Sequence, residues 1–132
     1  MPSTTFSLLS HPEKLLRDHV SGVLANARTL YKNLPISDET KRLIDTCCLF
    51  HDIGKASTYF QKYIVAICDG ATVHTGDKLK NHGAIGAVWT YHIAREQGFD
   101  AKSAFLAYLC VLKHHGALLN LEAMFPAPAL PF

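Results

Sequence analysis

The stretch LFHDIGKASTYFQKYI, residues 49–64, sets a histidine and an aspartate on consecutive positions directly after an apolar run and follows them with Gly54 and Lys55. Consecutive residues at a helix end project about 100° apart, so such a pair can chelate one cation or straddle two. A carboxylate has two oxygens and can bridge, whereas each neutral imidazole supplies one nitrogen. Asp52 is therefore the natural bridge, and the reading of the chain turns on which further donors reach it.

Upstream of the pair, Ser37 followed by Asp38 and Glu39 starts a helix whose buried side is Leu43, Ile44, Cys47, Cys48 and Phe50, which places His51 and Asp52 at its C-terminal end. Downstream, Gly54 permits a turn, Ser57 caps a helix bearing Phe60, Ile64 and Ile67, and Asp69-Gly70 closes it. Further back, Ser10, Pro12 and Glu13 have the spacing of a capping box, and Leu16, His19, Val20, Val23, Ala27 and Leu30 recur at intervals of three and four. A helix to about Tyr31 is expected, with His19 on its apolar face, ended by Asn33-Leu34-Pro35.

Beyond a polar loop, 71–80, Asn81 can cap a helix from His82 to Gln97 whose Ile85, Val88, Trp89 and Ile93 face inward and which stops at Gly98. Asp100 caps a fifth, carrying Phe105, Leu106, Leu109, Cys110 and Leu112 down to His114-His115-Gly116. The tail from Leu118 holds one short turn at most before Pro126, Pro128 and Pro131. With no sustained period-2 alternation and no repeat, the chain reads as all-α, a bundle of about five to six helices.

Composition narrows the function classes. A chain of 132 residues that is 48% hydrophobic has material for one core, hence one domain. Thirteen Lys+Arg against eleven Asp+Glu leave a formal +2, so no polybasic arm or acidic tail announces a nucleic-acid or membrane partner. Apolar runs stop well short of the ~20 residues of a bilayer span, and no basic region precedes an apolar leader, so no membrane partner and a cytoplasmic location are expected. Cys47, Cys48, Cys68 and Cys110 show no C-x-x-C spacing and read as buried thiols within helices.

His19 on an inward face, His51-Asp52 and His114-His115 at two helix ends and His82 at a helix start are the places where a bundle converges ligands. Singly, each histidine is an ordinary residue, and the joint pattern gives them weight. His11, His74 and His92 keep the ordinary reading. Lys55 is either a solvated loop lysine or a phosphate contact near the metals. Gly54-Lys55 is not a phosphate-binding loop, because Ala56 stands in place of Ser/Thr. Tyr59, Phe60 and Tyr63 offer base-stacking surface or, at helical spacing, core. A histidine-rich site with one bridging carboxylate suits Mn²⁺, Fe²⁺, Co²⁺, Ni²⁺ or Zn²⁺ better than Mg²⁺, and up to two such ions can drive phosphodiester hydrolysis without a protein nucleophile.

HDIGKASTYFQKYI (51–64), NHGAIGA (81–87) and KHHG (113–116), in that order and spacing, resemble the HD nuclease domain of the CRISPR-associated type I interference helicase-nuclease, within the HD phosphohydrolase superfamily. The resemblance spans roughly residues 10 to 117. It implies a helical domain that binds two divalent metals and cuts single-stranded DNA threaded from a helicase domain or subunit, in a CRISPR RNA-guided effector complex. It implies His19, His51 and Asp52 on one metal and Asp52, His82, His114 and His115 on the other, with His51, Asp52 and Lys55 at the reaction centre and Lys55 as a phosphate or outer contact. The family's last ligand, an Asp on a helix beyond the histidine doublet, has only Glu122 as a counterpart. The chain is therefore read as a single HD nuclease domain, an N-terminal or truncated piece of a longer protein. Two other readings stand beside this one: a phosphohydrolase of nucleotides or small phosphoesters with a closed pocket, and a catalytically incomplete helical docking module.

Overall fold

The computed structural model describes residues 7–72, 82–117 and 120. Asn81, His74, most of the polar loop, Glu122 and the three tail prolines lie outside them. A small antiparallel hairpin, β1 (Leu9–His11) with β2 (Lys14–Leu15), leads into five helices: α1 (Leu16–Tyr31), α2 (Asp38–Phe50), α3 (Thr58–Cys68), α4 (His82–Glu96) and α5 (Ala101–Leu112). A short 3-10 turn, Ile53–Ala56, joins α2 to α3. The fold is all-α apart from that hairpin. Among the described residues, no helix is long and apolar enough to cross a membrane.

Three helix starts follow directly from side-chain chemistry. The Ser37 hydroxyl accepts from the Thr40 amide at 3.1 Å, the Ser57 hydroxyl from Phe60 at 3.3 Å, and the Asp100 carboxylate from Ser103 at 2.6 Å. Each satisfies a donor that the first turn would otherwise leave open. At the other end of α4, Gly98 takes a φ of 89° and stops the helix.

The start of α1 differs from the expected capping box. The helix begins at Leu16, and no side chain caps it. Ser10 lies in β1, 1% exposed, with its hydroxyl donating to the Lys14 carbonyl at 3.3 Å, and Glu13 adopts a φ of 62° in the hairpin turn. Tertiary bonds decide this: the Gln61 side chain accepts from the Leu9 amide at 3.0 Å and donates to the Leu9 carbonyl at 2.9 Å, standing in for a neighbouring strand. Further along α1, Leu30 is 78% exposed and is not part of the inner face.

The inward face of α4 is also different. Ile85, Val88 and Trp89 are half exposed, and the buried stripe is Gly83, Gly86, Ala87, Thr90 and Ala94. A Cβ on Gly86 would stand 2.8 Å from the His51 carbonyl oxygen and 3.2 Å from that of Phe50. Only small residues permit this approach of α4 to the end of α2. On α5, likewise, Ala104, Ala107, Leu109 and Val111 are buried, while Leu106 and Cys110 are exposed. Cys68 is exposed too, so the expectation of four buried thiols fails for two of them, and only Cys47 and Cys48 are partly buried. Ala94, Phe99 and Ala104 form a core cluster against which Leu43 and Tyr91 pack.

Candidate metal centre

Close packing of α4 on α2 and α5 brings one helix start and two helix ends together, and α1 closes the fourth side. Asp52 lies at the centre, 1% exposed. Its Oδ2 stands 3.0 Å from His19 Nε2, 3.4 Å from His51 Nε2 and 2.8 Å from Lys55 Nζ. Its Oδ1 stands 3.3 Å from His82 Nε2, 3.2 Å from His114 Nε2 and 4.0 Å from His115 Nε2. The donors therefore form two overlapping groups that could each hold a metal ion, Asp52-His82-His114-His115 and His19-His51-Asp52. His92, exposed on α4, belongs to neither, and His74 lies outside the described residues.

Backbone carbonyls set the tautomers. His51 Nδ1 donates to the Cys48 carbonyl at 2.7 Å and His114 Nδ1 to the Val111 carbonyl at 2.6 Å. A carbonyl only accepts, so in each neutral ring the hydrogen is on Nδ1 and Nε2 presents a lone pair. Ring nitrogens also meet one another: His51 and His19 Nε2 are 3.3 Å apart, and His82 and His115 Nε2 are 2.9 Å apart, each a pair that one hydrogen can bridge. Lone pairs converging on a carboxylate repel unless protons or a cation stand among them, and imidazole with carboxylate is the donor set of a first-row transition metal. The residues fit such an ion. His82 Nδ1 is the one buried polar side-chain atom left without a hydrogen-bond partner among the described residues.

Electrostatics follow from this crowding. Burial opposes ionisation of Asp52, but hydrogen bonds from His114, His82 and Lys55 outweigh it and hold the carboxyl far below the usual carboxylate range. Burial lowers the pKa of His19, His51 and His115. His114 is raised, chiefly by its hydrogen bond to Asp52. Without a metal, His114 is thus the ring best placed to carry a proton beside the carboxylate.

Lys55 is not a solvated loop lysine: it is 4% exposed, paired with Asp52 and 5.6 Å from the Phe60 ring centre. Phe60 is buried and packs edge-on to His82, whereas Tyr59 is 75% exposed. Gly54 serves close approach more than turning, since a Cβ there would meet the His82 carbonyl oxygen, with His82 C and Cα both at 2.9 Å. Neither backbone can yield without moving a helix start. Gly54→Ala is expected to destabilise by roughly 1–3 kcal/mol and to displace His82, which denaturant unfolding together with metal titration checks.

His11, read from the sequence as an ordinary residue, stands outside both donor groups but next to one of them. His11 lies edge-on to His19, ring centres 5.0 Å apart. Burial and the Lys55 charge lower its pKa against the pull of Asp52.

The family model described as Cas3, HD domain, matches residues 12–127. The chain belongs to the Cas3 HD-domain family. Similar proteins include the CRISPR-associated nuclease/helicase Cas3 of Haloferax volcanii, 27% identical over 96% of this chain and 14% of that protein. The CRISPR-associated endonuclease Cas3-HD of Methanocaldococcus jannaschii is 34% identical over 52% of this chain and 26% of that protein. The chain thus spans a minor part of the length of both relatives. No solved structure matches it. Within the Cas3 HD family, the geometry around Asp52 supplies the histidine and aspartate cluster expected of a divalent-metal site.

Proposed function

We propose that this Cas3 HD domain is a metal-dependent nuclease that cleaves phosphodiester bonds of single-stranded DNA. It acts in CRISPR interference with a helicase domain or subunit and an RNA-guided effector complex. The observation that carries the reading is the division of Asp52, with one oxygen facing His19 and His51 and the other facing His82, His114 and His115. Ions held there supply Lewis acidity toward water and toward the phosphate oxygens, which is the chemistry phosphodiester hydrolysis needs.

The chain's own residues do the rest. Asp52 links the two positions, the Cys48 and Val111 carbonyls hold His51 and His114 with Nε2 free, and Lys55 fixes the Oδ2 side of the carboxylate. His115, with a side chain 60% exposed, leaves the second position open to a polymer. A net charge of +2 gives little phosphate neutralisation, so the helicase delivers the strand. Incubation of purified protein with single-stranded DNA should give cleavage with Mn²⁺ or Co²⁺, less with Mg²⁺ and none with chelator. Turnover of free nucleotides with the DNA left intact, or cleavage indifferent to chelator, would overturn the reading.

A further inference from the structure

Among the described residues the two groups around Asp52 are unequal: three protein donors on the Oδ2 side, four on the Oδ1 side. Resting on the reading of this cluster as a metal centre, we infer that His11 is an additional imidazole ligand for the ion held by His19, His51 and Asp52, presented by the hairpin ahead of α1.

The hairpin is built to hold in place the backbone that carries that ring. Gln61 makes both of its bonds to Leu9 and a third to the Lys55 carbonyl at 2.7 Å, so one side chain ties β1 to the turn that follows Asp52. The Leu16 amide closes the base of the hairpin on the Leu8 carbonyl at 2.7 Å. Four backbone groups around a two-residue turn are thus fixed, and the turn carries His11 with its ring edge-on to His19, centres 5.0 Å apart.

The ring itself has the chemistry of a ligand. The Ser10 hydroxyl gives its hydrogen to the Lys14 carbonyl, so toward His11 Nδ1, 3.0 Å away, it is an acceptor. His11 Nδ1 then carries the hydrogen, and Nε2 keeps a lone pair with no hydrogen-bond partner among the described residues. This is the arrangement of His51 and His114, with a buried hydroxyl in place of a carbonyl. His11 stands outside the group whose donor atoms lie within 4.8 Å of one another, and its ring is exposed. Ligation therefore requires its side chain to turn inward as the ion binds, an adjustment an exposed ring can make without disturbing packing. A first-row ion takes four to six ligands, so the Oδ2 position, with three donors among the described residues, has room for a fourth.

Co²⁺ titration of the full 132-residue chain, read by calorimetry and by visible absorption, tests this. The wild type should take up two equivalents of unequal affinity. His11→Ala should weaken the lower-affinity equivalent about 10- to 100-fold and alter its absorption bands, leaving the tighter one unchanged. His92→Ala, which removes an exposed histidine far along α4, should change neither. Unchanged affinity and spectrum of the weaker equivalent in His11→Ala overturn the inference, as does uptake of a single equivalent by the wild type. His19→Ala separates the failures: if it abolishes the weaker equivalent while His11→Ala does not, only this inference falls. If neither change has any effect on Co²⁺ uptake, the metal centre itself is wrongly read.

Discussion

Asp52→Ala should abolish uptake of both ions and lower DNA cleavage by more than the ~100-fold that loss of an outer partner of a metal ligand costs. Each oxygen faces its own set of imidazoles, so one substitution removes an anionic donor from both positions. A second consequence is structural. Lys55, 4% exposed, has Asp52 at 2.8 Å, and losing that partner leaves a buried ammonium uncompensated at roughly 3–5 kcal/mol. Asp52→Ala with Lys55→Met should recover much of the stability and none of the metal binding. Denaturant unfolding and metal titration on the same two proteins separate the effects. Retention of wild-type metal uptake by Asp52→Ala would refute the bridging role.

Metal affinity should fall at least ~100-fold between pH 8 and pH 5.5, because several imidazoles with an ordinary pKa near 6.5 must be neutral to bind. The rings do not titrate alike. His114 is raised by Asp52 and protonates first, so its proton is the one an incoming ion must displace; His19, His51 and His115 are lowered by burial and follow at lower pH. In the metal-free protein the signs differ by group. The lowered histidines contribute stability that is present above pH 6.5 and is lost as pH falls toward their folded values. His114 contributes stability below pH 6.5 that is lost as pH rises through its raised value. Asp52, depressed, contributes stability that is fully present above the ordinary carboxylate range and is lost progressively as pH falls below it toward the folded value. Calorimetric titration at the two pH values decides the matter, and equal affinity would argue against histidine ligation.

Local chemistry made much of the fold legible before any coordinates. Ser37, Ser57 and Asp100 cap helices because a side-chain oxygen can satisfy an amide three residues on, whatever surrounds them. α2 ends before His51 and α4 is described from His82, where the sequence put them, although the Asn81 cap expected for α4 lies outside the described residues. What stayed hidden depends on partners distant in sequence. Nothing within residues 10–13 shows that Gln61 will supply a strand's worth of hydrogen bonds and draw Ser10 into a hairpin. The α4 face was misread because hydrophobicity favours Ile85, Val88 and Trp89, whereas the geometry at Gly86 admits only small residues beside the His51 and Phe50 carbonyls. Lys55 was ambiguous because its burial is decided by Asp52, Phe60 and the closeness of α4, none of which spacing reveals. The histidine and aspartate cluster and the sharing of Asp52 between two donor groups were suggested by residue type, helix position and the family resemblance; the packed structure adds the distances at which each oxygen meets its group.

Crystals soaked in Mn²⁺ and measured at the manganese absorption edge test the central claim, that Asp52 joins two metal positions. Two anomalous peaks roughly 3.5–4 Å apart are predicted, the typical separation in two-metal sites. One should lie between Oδ1 and the His82, His114 and His115 rings, stronger at low Mn²⁺, and the other between Oδ2 and the His19 and His51 rings. A single peak chelated by both oxygens of Asp52, or peaks that do not touch Asp52, would contradict it.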